Sequence, residues 1–390
     1  MILGVIIGFP IGITSATFLY LLEFATNFRE INLWLIVFIP IAGWFIGTYY
    51  ERGGNSVSAG NNLILKEYTF PNTTLPWHMA PSIFITTLLT HLVGGSAGRE
   101  GTAIQMGATI SDQFHRFGRT FKQNRSTFLA AGIAGGFGSL FGTPIAGAVF
   151  AMEILRNRKI DWDLLAPTFF TSFFAYLVCD FLGAPHTRYV YIELPELGFS
   201  NISFVTIVAV LFGITALIYI HLSKSLTSFF TKRFPTLTKR AFYGGIILFL
   251  VYMIPNTEKY MGLGIPSILN AFEEPTFYLD FAIKLLLTAL TLSIGFRGGE
   301  VTPLFFIGAT LGSALSIFIP LPVAFLAALG FLAVFAGATK TFLACTVMGI
   351  ELFGWESFPY FLFVCLVAQM FSGKKSIYEN LNNSFSILKF

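Results

Sequence analysis

Apolar runs dominate this chain, and they come in two lengths. Runs suited to a hydrocarbon core of about 30 Å occupy residues 2–22, 32–50, 163–184, 202–222, 280–296 and 357–371. Between them lie shorter runs broken by glycine and proline, at 79–97, 102–114, 126–141, 143–155, 241–255, 301–319, 321–337 and 340–354. Backbone groups in hydrocarbon must bond within their own segment, so the long runs predict an all-α integral membrane protein. Broken helices are tolerated at that depth only where their free backbone groups meet protein, water or a bound ion, so the short runs predict a permeation pathway. Composition excludes a soluble fold, because 55% of residues are hydrophobic and only 11% are charged, more apolar surface than such a fold covers. No polar stretch approaches domain size. The first run has no basic flank, the first Lys or Arg being Arg29, and reads as a membrane helix rather than a cleaved signal. Cys179, Cys345 and Cys365 all fall in apolar segments without disulfide or metal spacing, so they read as small core residues, and no metal or cofactor is expected.

Charge gives topology. The net charge of +4 resides in short clusters between apolar runs, which fits membrane orientation and not a nucleic acid partner. Residues 115–125 carry Arg116, Arg119, Lys122 and Arg125, and residues 223–240 carry Lys224, Lys232, Arg233, Lys239 and Arg240, with no acid in either. Both are expected on the cytoplasmic side, together with the tail bearing Lys374, Lys375 and Lys389. The segments near 185–200 and 256–279, with Glu193, Glu196, Glu258, Glu273 and Glu274, are expected to face outward.

The chain repeats itself. Gly98-Arg99-Glu100-Gly101-Thr102, leading to Gly107-Ala108-Thr109-Ile110, returns as Gly298-Gly299-Glu300-Val301-Thr302, leading to Gly308-Ala309-Thr310-Leu311. Thr143-Pro144-Ile145-Ala146 through Glu153 likewise returns as Thr341-Phe342-Leu343-Ala344 through Glu351. Two membrane repeats follow, 1–200 and 201–390, and such duplicated halves, often inverted, form substrate sites at their interface. Glycine allows close backbone approach, and the start of a helix offers free N–H groups and a positive dipole end, which together attract an anion. Glu100 and Glu300 stand where that anion would sit. An ionised carboxylate there mimics the anion, and a protonated one leaves, which couples anion movement to protons. The plainer reading makes each acid a cap or half of an ion pair with Arg99 or Arg297. Glu153 and Glu351, each at the end of a short apolar run, are expected to be structural pairs or interfacial acids. Lys284, Thr288, Thr291 and Gly295 share a helix face that packs on a neighbour or lines a vestibule, with packing favoured.

At these residues the chain resembles the CLC chloride channels and anion/proton antiporters. The resemblance rests on Gly60-Asn61-Asn62, Gly98-Arg99-Glu100-Gly101, Gly298-Gly299-Glu300-Val301-Thr302-Pro303 and the segment from Lys284 to Gly299, and it covers nearly the whole chain. It implies a CLC-type inverted-repeat fold with many tilted and broken helices, a homodimer with one pathway per subunit, and Glu100 as the external gate. The eukaryotic nucleotide-binding tail is not expected, the chain ending twelve residues after Tyr378.

Departures from the family pattern specify the ion. Asn61 replaces the serine of the chloride-transporting members, and Ile64 stands where their proline would be. Glu300 and Val301 replace an apolar residue and a phenylalanine, placing a second acid in the pathway. Ile154 occupies the position of the internal proton-transferring glutamate. These changes resemble the fluoride/proton antiporter branch, which implies anion binding by Asn61, Gly98, Arg99, Gly101, Thr302 and Tyr378. Fluoride is a compact, strongly hydrated acceptor, so its site needs convergent donors. It is also the anion of a weak acid that is trapped inside cells once ionised. The expected function is therefore export of fluoride in exchange for protons across the inner (cytoplasmic) membrane, with the bilayer, fluoride, protons and a second copy as partners. Three alternatives stand beside it. One is a chloride/proton antiporter or chloride channel of the same fold. Another is an intramembrane hydrolase built on Gly94-Gly95-Ser96-Ala97-Gly98 with His91, whose serine has no counterpart in the second repeat. The third is a cation-coupled carrier, which the paired helix starts disfavour.

Overall fold

Apolar runs become helices, and their two lengths separate by burial. The computed structural model describes residues 1–117, 124–155, 161–189, 192–196 and 198–378, and contains sixteen α-helices among them. Four stretches are long and apolar enough to cross a membrane. They comprise α1 (Ile2–Ile31), a 3-10 turn running into α2 (Ile39–Arg52), α8 (Leu165–Phe181) with its leading turn, and α9 (Phe199–Arg233). Their most apolar windows are only 33–56% buried, and Phe9, Phe45, Phe181 and Ile218 project from them into surroundings that suit hydrocarbon. By contrast α5 (Glu100–Gln113), α6 (Arg125–Phe141), α13 (Val301–Leu315) and α14 (Val323–Thr339) are shorter and buried almost throughout. The interrupted helices thus form the interior of a bundle whose shell is the longer ones.

One expected span is shorter than the sequence suggests. The run at 280–296 folds as α12 (Asp280–Ser293), 14 residues, or about 21 Å at the helical rise, whereas the run at 357–371 folds within one residue of its expected bounds as α16 (Phe358–Phe371). At Gly295 (φ +105°) the chain turns back toward Glu300, which ends α12 early. The run at 202–222 errs the other way. Helix α9 continues to Arg233 over 35 residues, and only Phe234–Thr236 separates it from α10 (Leu237–Tyr252). A helix of that length spans about 52 Å, so its basic end stands clear of a hydrocarbon core. Arg125 is no free loop charge either. Its guanidinium donates to Asp112 at 2.8 Å and to Glu67 at 2.9 Å. Arg119, Lys122 and Lys389 lie outside the described residues.

The sequence repeat is also visible as a repeat of elements. Helices α3 (Asn61–Thr69) and α11 (Ile265–Glu273) each have nine residues, α4 (Met79–Leu92) matches α12 with 14, α6 matches α14 with 17, and α7 (Pro144–Leu155) matches α15 (Phe342–Phe353) with 12. Both acid-bearing helices cross their neighbours at bare glycines. A Cβ on Gly107 would stand 2.2 Å from the Gly132 carbonyl oxygen, and one on Gly308 would stand 2.0 Å from that of Gly330. Small residues let the backbones touch where lipid supplies no hydrophobic drive between helices.

Glu153 and Glu351 tie the halves together. The Glu351 carboxylate accepts from Ile145 N at 2.9 Å and Ala146 N at 2.7 Å, at the start of α7. Glu153 accepts from Ala344 N at 2.8 Å, at the start of α15. Each acid satisfies free amides at the positive end of a helix in the opposite half, a structural role taken as a cap across the halves. Lys284 packs as well, donating to the Tyr260 and Gly262 carbonyls at 3.0 and 2.7 Å, while Thr288 meets Ser96 at 2.9 Å. The three cysteines are free and buried.

Candidate anion pathway

Glycine turns bring the repeated motif to one place. Gly94 (φ +92°) and Gly295 (φ +105°) reverse the chain after α4 and α12, in a conformation that a side chain would strain. The two returning segments meet at Gly98 and Gly299, which exchange N–H···O=C bonds of 2.6 and 2.7 Å. This is the only β-bridge among the described residues. The contact excludes side chains, since a Cβ on Gly98 or Gly299 would stand 2.4 or 2.6 Å from Glu100 Oε2. The Glu100 carboxylate therefore lies in a cradle of backbone supplied by both halves.

Glu100 is the first residue of α5 and is fully buried. Its Oε2 accepts from Arg99 N at 3.1 Å, and its Oε1 accepts from the Thr302 hydroxyl, which comes from the first turn of α13. These donors would serve any compact anion equally well, because a helix start binds negative charge whatever its source. Glu300 is the residue just before α13, and its side chain makes no capping hydrogen bond to that helix. It lines a cavity of about 710 Å³ together with Asn61, Gly101, Gln105, Arg297, Gly298, Gly299 and Tyr378. That cavity extends along Ser223, Lys224, Thr227, Thr231 and Lys232 of α9, toward the side that the basic residues assign to the cytoplasm. Glu100 is not among its lining residues. The two acids thus occupy different compartments, one sealed and one facing the cavity.

Each expected site residue has a definite place. Asn61 opens α3 beside Gly101, its Nδ2 3.3 Å from where a Gly101 Cβ would stand, and its Oδ1 has no hydrogen-bond partner. Tyr378 is buried at the cavity, with Ile377 N bonded to the Ala338 carbonyl at 3.1 Å and Tyr378 N to Ser376 Oγ at 3.2 Å. Gly98, Gly101 and Thr302 surround Glu100. Arg99 is buried with its Nε unpartnered. Arg297 stacks 3.7 Å above the Tyr50 ring and donates to the Ser58 carbonyl at 2.9 Å. Neither arginine forms an ion pair with its neighbouring glutamate among the described residues, so the plainer ion-pair reading of Glu100 and Glu300 is not met. Ile154 sits in the apolar core, leaving no carboxyl at that position.

Ser96 and His91 do not form a nucleophilic pair. Ser96 bonds Thr288, whereas the two His91 ring nitrogens lie 2.8 and 3.0 Å from the Thr87 and Ala97 carbonyls. What the sequence reading missed is Tyr219 of α9, fully buried, whose hydroxyl has no hydrogen-bond partner among the described residues. The signal that could have found it was the series Tyr219, Ser223, Thr227, Thr231, one polar residue every four along a helix.

Known proteins share this arrangement. The sequence profile described as voltage-gated chloride channel matches residues 38–373. A chloride/fluoride channel protein of Pseudomonas syringae pv. tomato is 40% identical over 374 residues, covering 94% of this chain and 83% of that one. The crystal structure of a CLC-type fluoride/proton antiporter superposes with a TM-score of 0.94 at 35% identity, covering 97% of this chain and 96% of the other. A slow cyanobacterial Cl−/H+ antiporter, at 20% identity and a TM-score of 0.82 over 97% of this chain and 96% of that one, shares the fold.

Proposed function

Because the chain belongs to the voltage-gated chloride channel family, a family of multi-pass membrane transporters and channels, we propose that it exports fluoride in exchange for protons. The setting is the cytoplasmic membrane, with the chain acting as a homodimer of subunits built from inverted repeats, 1–200 and 201–390. A relative 40% identical carries fluoride in its name, and a structure 35% identical is that of a fluoride/proton antiporter. The observation that carries the reading is the Glu100 carboxylate, held by Arg99 N–H and the Thr302 hydroxyl above a cavity lined by the second acid.

The cycle follows from that geometry. Ionised Glu100 occupies the donors that an anion needs and blocks the path. When Glu100 takes up a proton from outside, its hold on Thr302 and Arg99 N–H weakens, because a neutral acid is a poorer acceptor. The carboxyl swings away and fluoride takes the vacated donors. Asn61 and Tyr378 hold fluoride from the cavity side, and Gly98, Gly101 and Arg99 shape the backbone cradle. Glu300, the second acid, which lines the cavity, receives the proton and passes it to the inner side. Protons moving inward thereby drive fluoride outward.

The test is a proteoliposome assay that follows fluoride efflux with a selective electrode and proton uptake in the same vesicles. Stoichiometric coupling is expected. Chloride efflux at equal rate, or fluoride efflux without protons, sinks the reading and leaves a chloride transporter or an uncoupled channel.

A further inference from the structure

Arg297 puts a positive charge inside the helix bundle with no acid to answer it. It follows the Gly295 turn, in the segment leading to Glu300, and lines the cavity of about 710 Å³ beside Gly298 and Glu300. No carboxylate forms an ion pair with it among the described residues. The side chain is nevertheless fixed. Its guanidinium carbon stands 3.7 Å from the centre of the Tyr50 ring, and its Nη1 donates to the Ser58 carbonyl at 2.9 Å. Its Nε has no hydrogen-bond partner. A guanidinium carries five N–H donors, so most of its donor capacity is unused. An unpaired charge at this depth is costly, and a neutral side chain would avoid that cost while filling the same space.

The repeat sharpens the point. The first-half position that matches Arg297 is Ala97, which is fully buried, and the first-half arginine, Arg99, matches Gly299. Of the two arginines, only Arg297 lines the cavity. Lys224, Lys232 and Arg297 are the cations of that lining, and Glu300 is the one acid among its described residues. Such an excess of positive charge raises the local concentration of anions. The two lysines lie on α9, toward its basic end, on long flexible stems. Arg297 alone is held in place, by the loop in which Asn61 follows Ser58 by three residues.

We infer that Arg297 binds fluoride directly in the cavity, as the fixed cation of a loading site on the inner side of Glu100. This rests on the fluoride/proton reading given above. Hydrogen bonds from a charged donor are roughly twice as strong as neutral ones. A guanidinium is also more weakly hydrated than an ammonium, so it gives up less water on meeting the anion. It stays protonated at every pH at which an exchanger works. The loading site therefore holds fluoride whatever the proton occupancy of Glu100 and Glu300. Two tasks separate as a result. Arg297 sets how readily fluoride fills the cavity, and the two acids set how many protons move with it.

The experiment is Arg297→Met and Arg297→Lys in proteoliposomes, with fluoride and proton fluxes recorded together and the melting temperature of each purified variant beside them. In Arg297→Met the half-saturating internal fluoride concentration is expected to rise about tenfold or more, the scale of losing one charge-assisted hydrogen bond. Arg297→Lys should raise it less, and protons moved per fluoride should stay at the parent ratio in both. Unchanged half-saturation in Arg297→Met overturns the inference. A second measurement separates charge from packing. Arg297→Cys is treated from the inner side with aminoethyl methanethiosulfonate, which adds a positive charge, or with sulfonatoethyl methanethiosulfonate, which adds a negative one. The three native cysteines are buried, and the parent treated alike is the reference. The positive adduct should lower the half-saturating concentration and the negative adduct should raise it. An equal response to both, or no reaction with either, overturns the inference. Failure of all three variants to fold does so too, because Arg297 is then a staple between Tyr50, Ser58 and the turn. If the parent moves no protons with fluoride, the exchange reading itself has failed, while the response to charge at position 297 still decides the role of Arg297. Coupled exchange by the parent with unaltered half-saturation in Arg297→Met rejects only Arg297.

Discussion

Glu100 and Glu300 hold equivalent places in two copies of one motif, each at the start of a helix that crosses its neighbour glycine on glycine. Their surroundings are nonetheless different. Glu100 is fully buried and bonded to Arg99 N and the Thr302 hydroxyl, while Glu300 opens onto a cavity. The threonines that follow them diverge in the same way. Thr102 pairs with Thr87 at 2.6 Å inside its own half, whereas Thr302 reaches across to the acid of the other half. Even the ends of α6 and α14 differ. Gly142 takes the left-handed turn in one (φ +73°), and Lys340 takes it in the other (φ +67°), where its ammonium bonds Ser372 and secures the segment leading to Tyr378. Duplication supplied two helix starts, and divergence left one acid enclosed by backbone and the other open to a cavity.

That asymmetry can be broken in graded ways. The largest effect is expected for Glu100→Gln, which removes the ionisable plug: proton uptake should vanish and fluoride turnover should fall roughly a hundredfold or more, the scale of losing a proton-transfer group, as read by paired flux recordings. Glu300→Gln should cost about tenfold, the value of one charge-assisted contact, while some fluoride efflux survives. A larger loss there than at Glu100 would reverse the assigned roles. Gly308→Ala sharpens the comparison through packing, because its Cβ would press on the Gly330 carbonyl. About 1–3 kcal/mol of destabilisation is expected from overpacking, visible as a lower melting temperature in detergent, and Gly107→Ala should behave alike if the halves are mechanically equivalent. Lys340→Met should slow fluoride efflux a few-fold through loss of a helix C-terminal cation contact, with the proton ratio unchanged. Smallest is Glu351→Ala, a partly exposed cap expected to cost about 1 kcal/mol and to leave transport intact.

Legibility followed locality. The paired motifs, the acids at helix starts and the buried cysteines all rest on short stretches whose chemistry is self-contained, whereas the helix starts that Glu153 and Glu351 cap lie about two hundred residues away. Helix ends were less legible. The run at 202–222 hides a helix that continues to Arg233, because charged residues stop a hydropathy count without stopping hydrogen bonds. The run at 280–296 is cut short by the turn at Gly295, whose cause is the returning backbone. Tyr219 escaped notice because one phenol inside an apolar span has no meaning until its neighbour is known.

What the sequence determined by itself is the solvent, the duplication and the two acids, since hydropathy, repeated residues and helix-start chemistry are properties of contiguous chain. Only the tertiary structure decided that Gly98 meets Gly299 and that Thr302 serves Glu100. Both contacts join residues about two hundred positions apart. No local preference encodes them; they exist because two packed halves bring their helix starts to a common point.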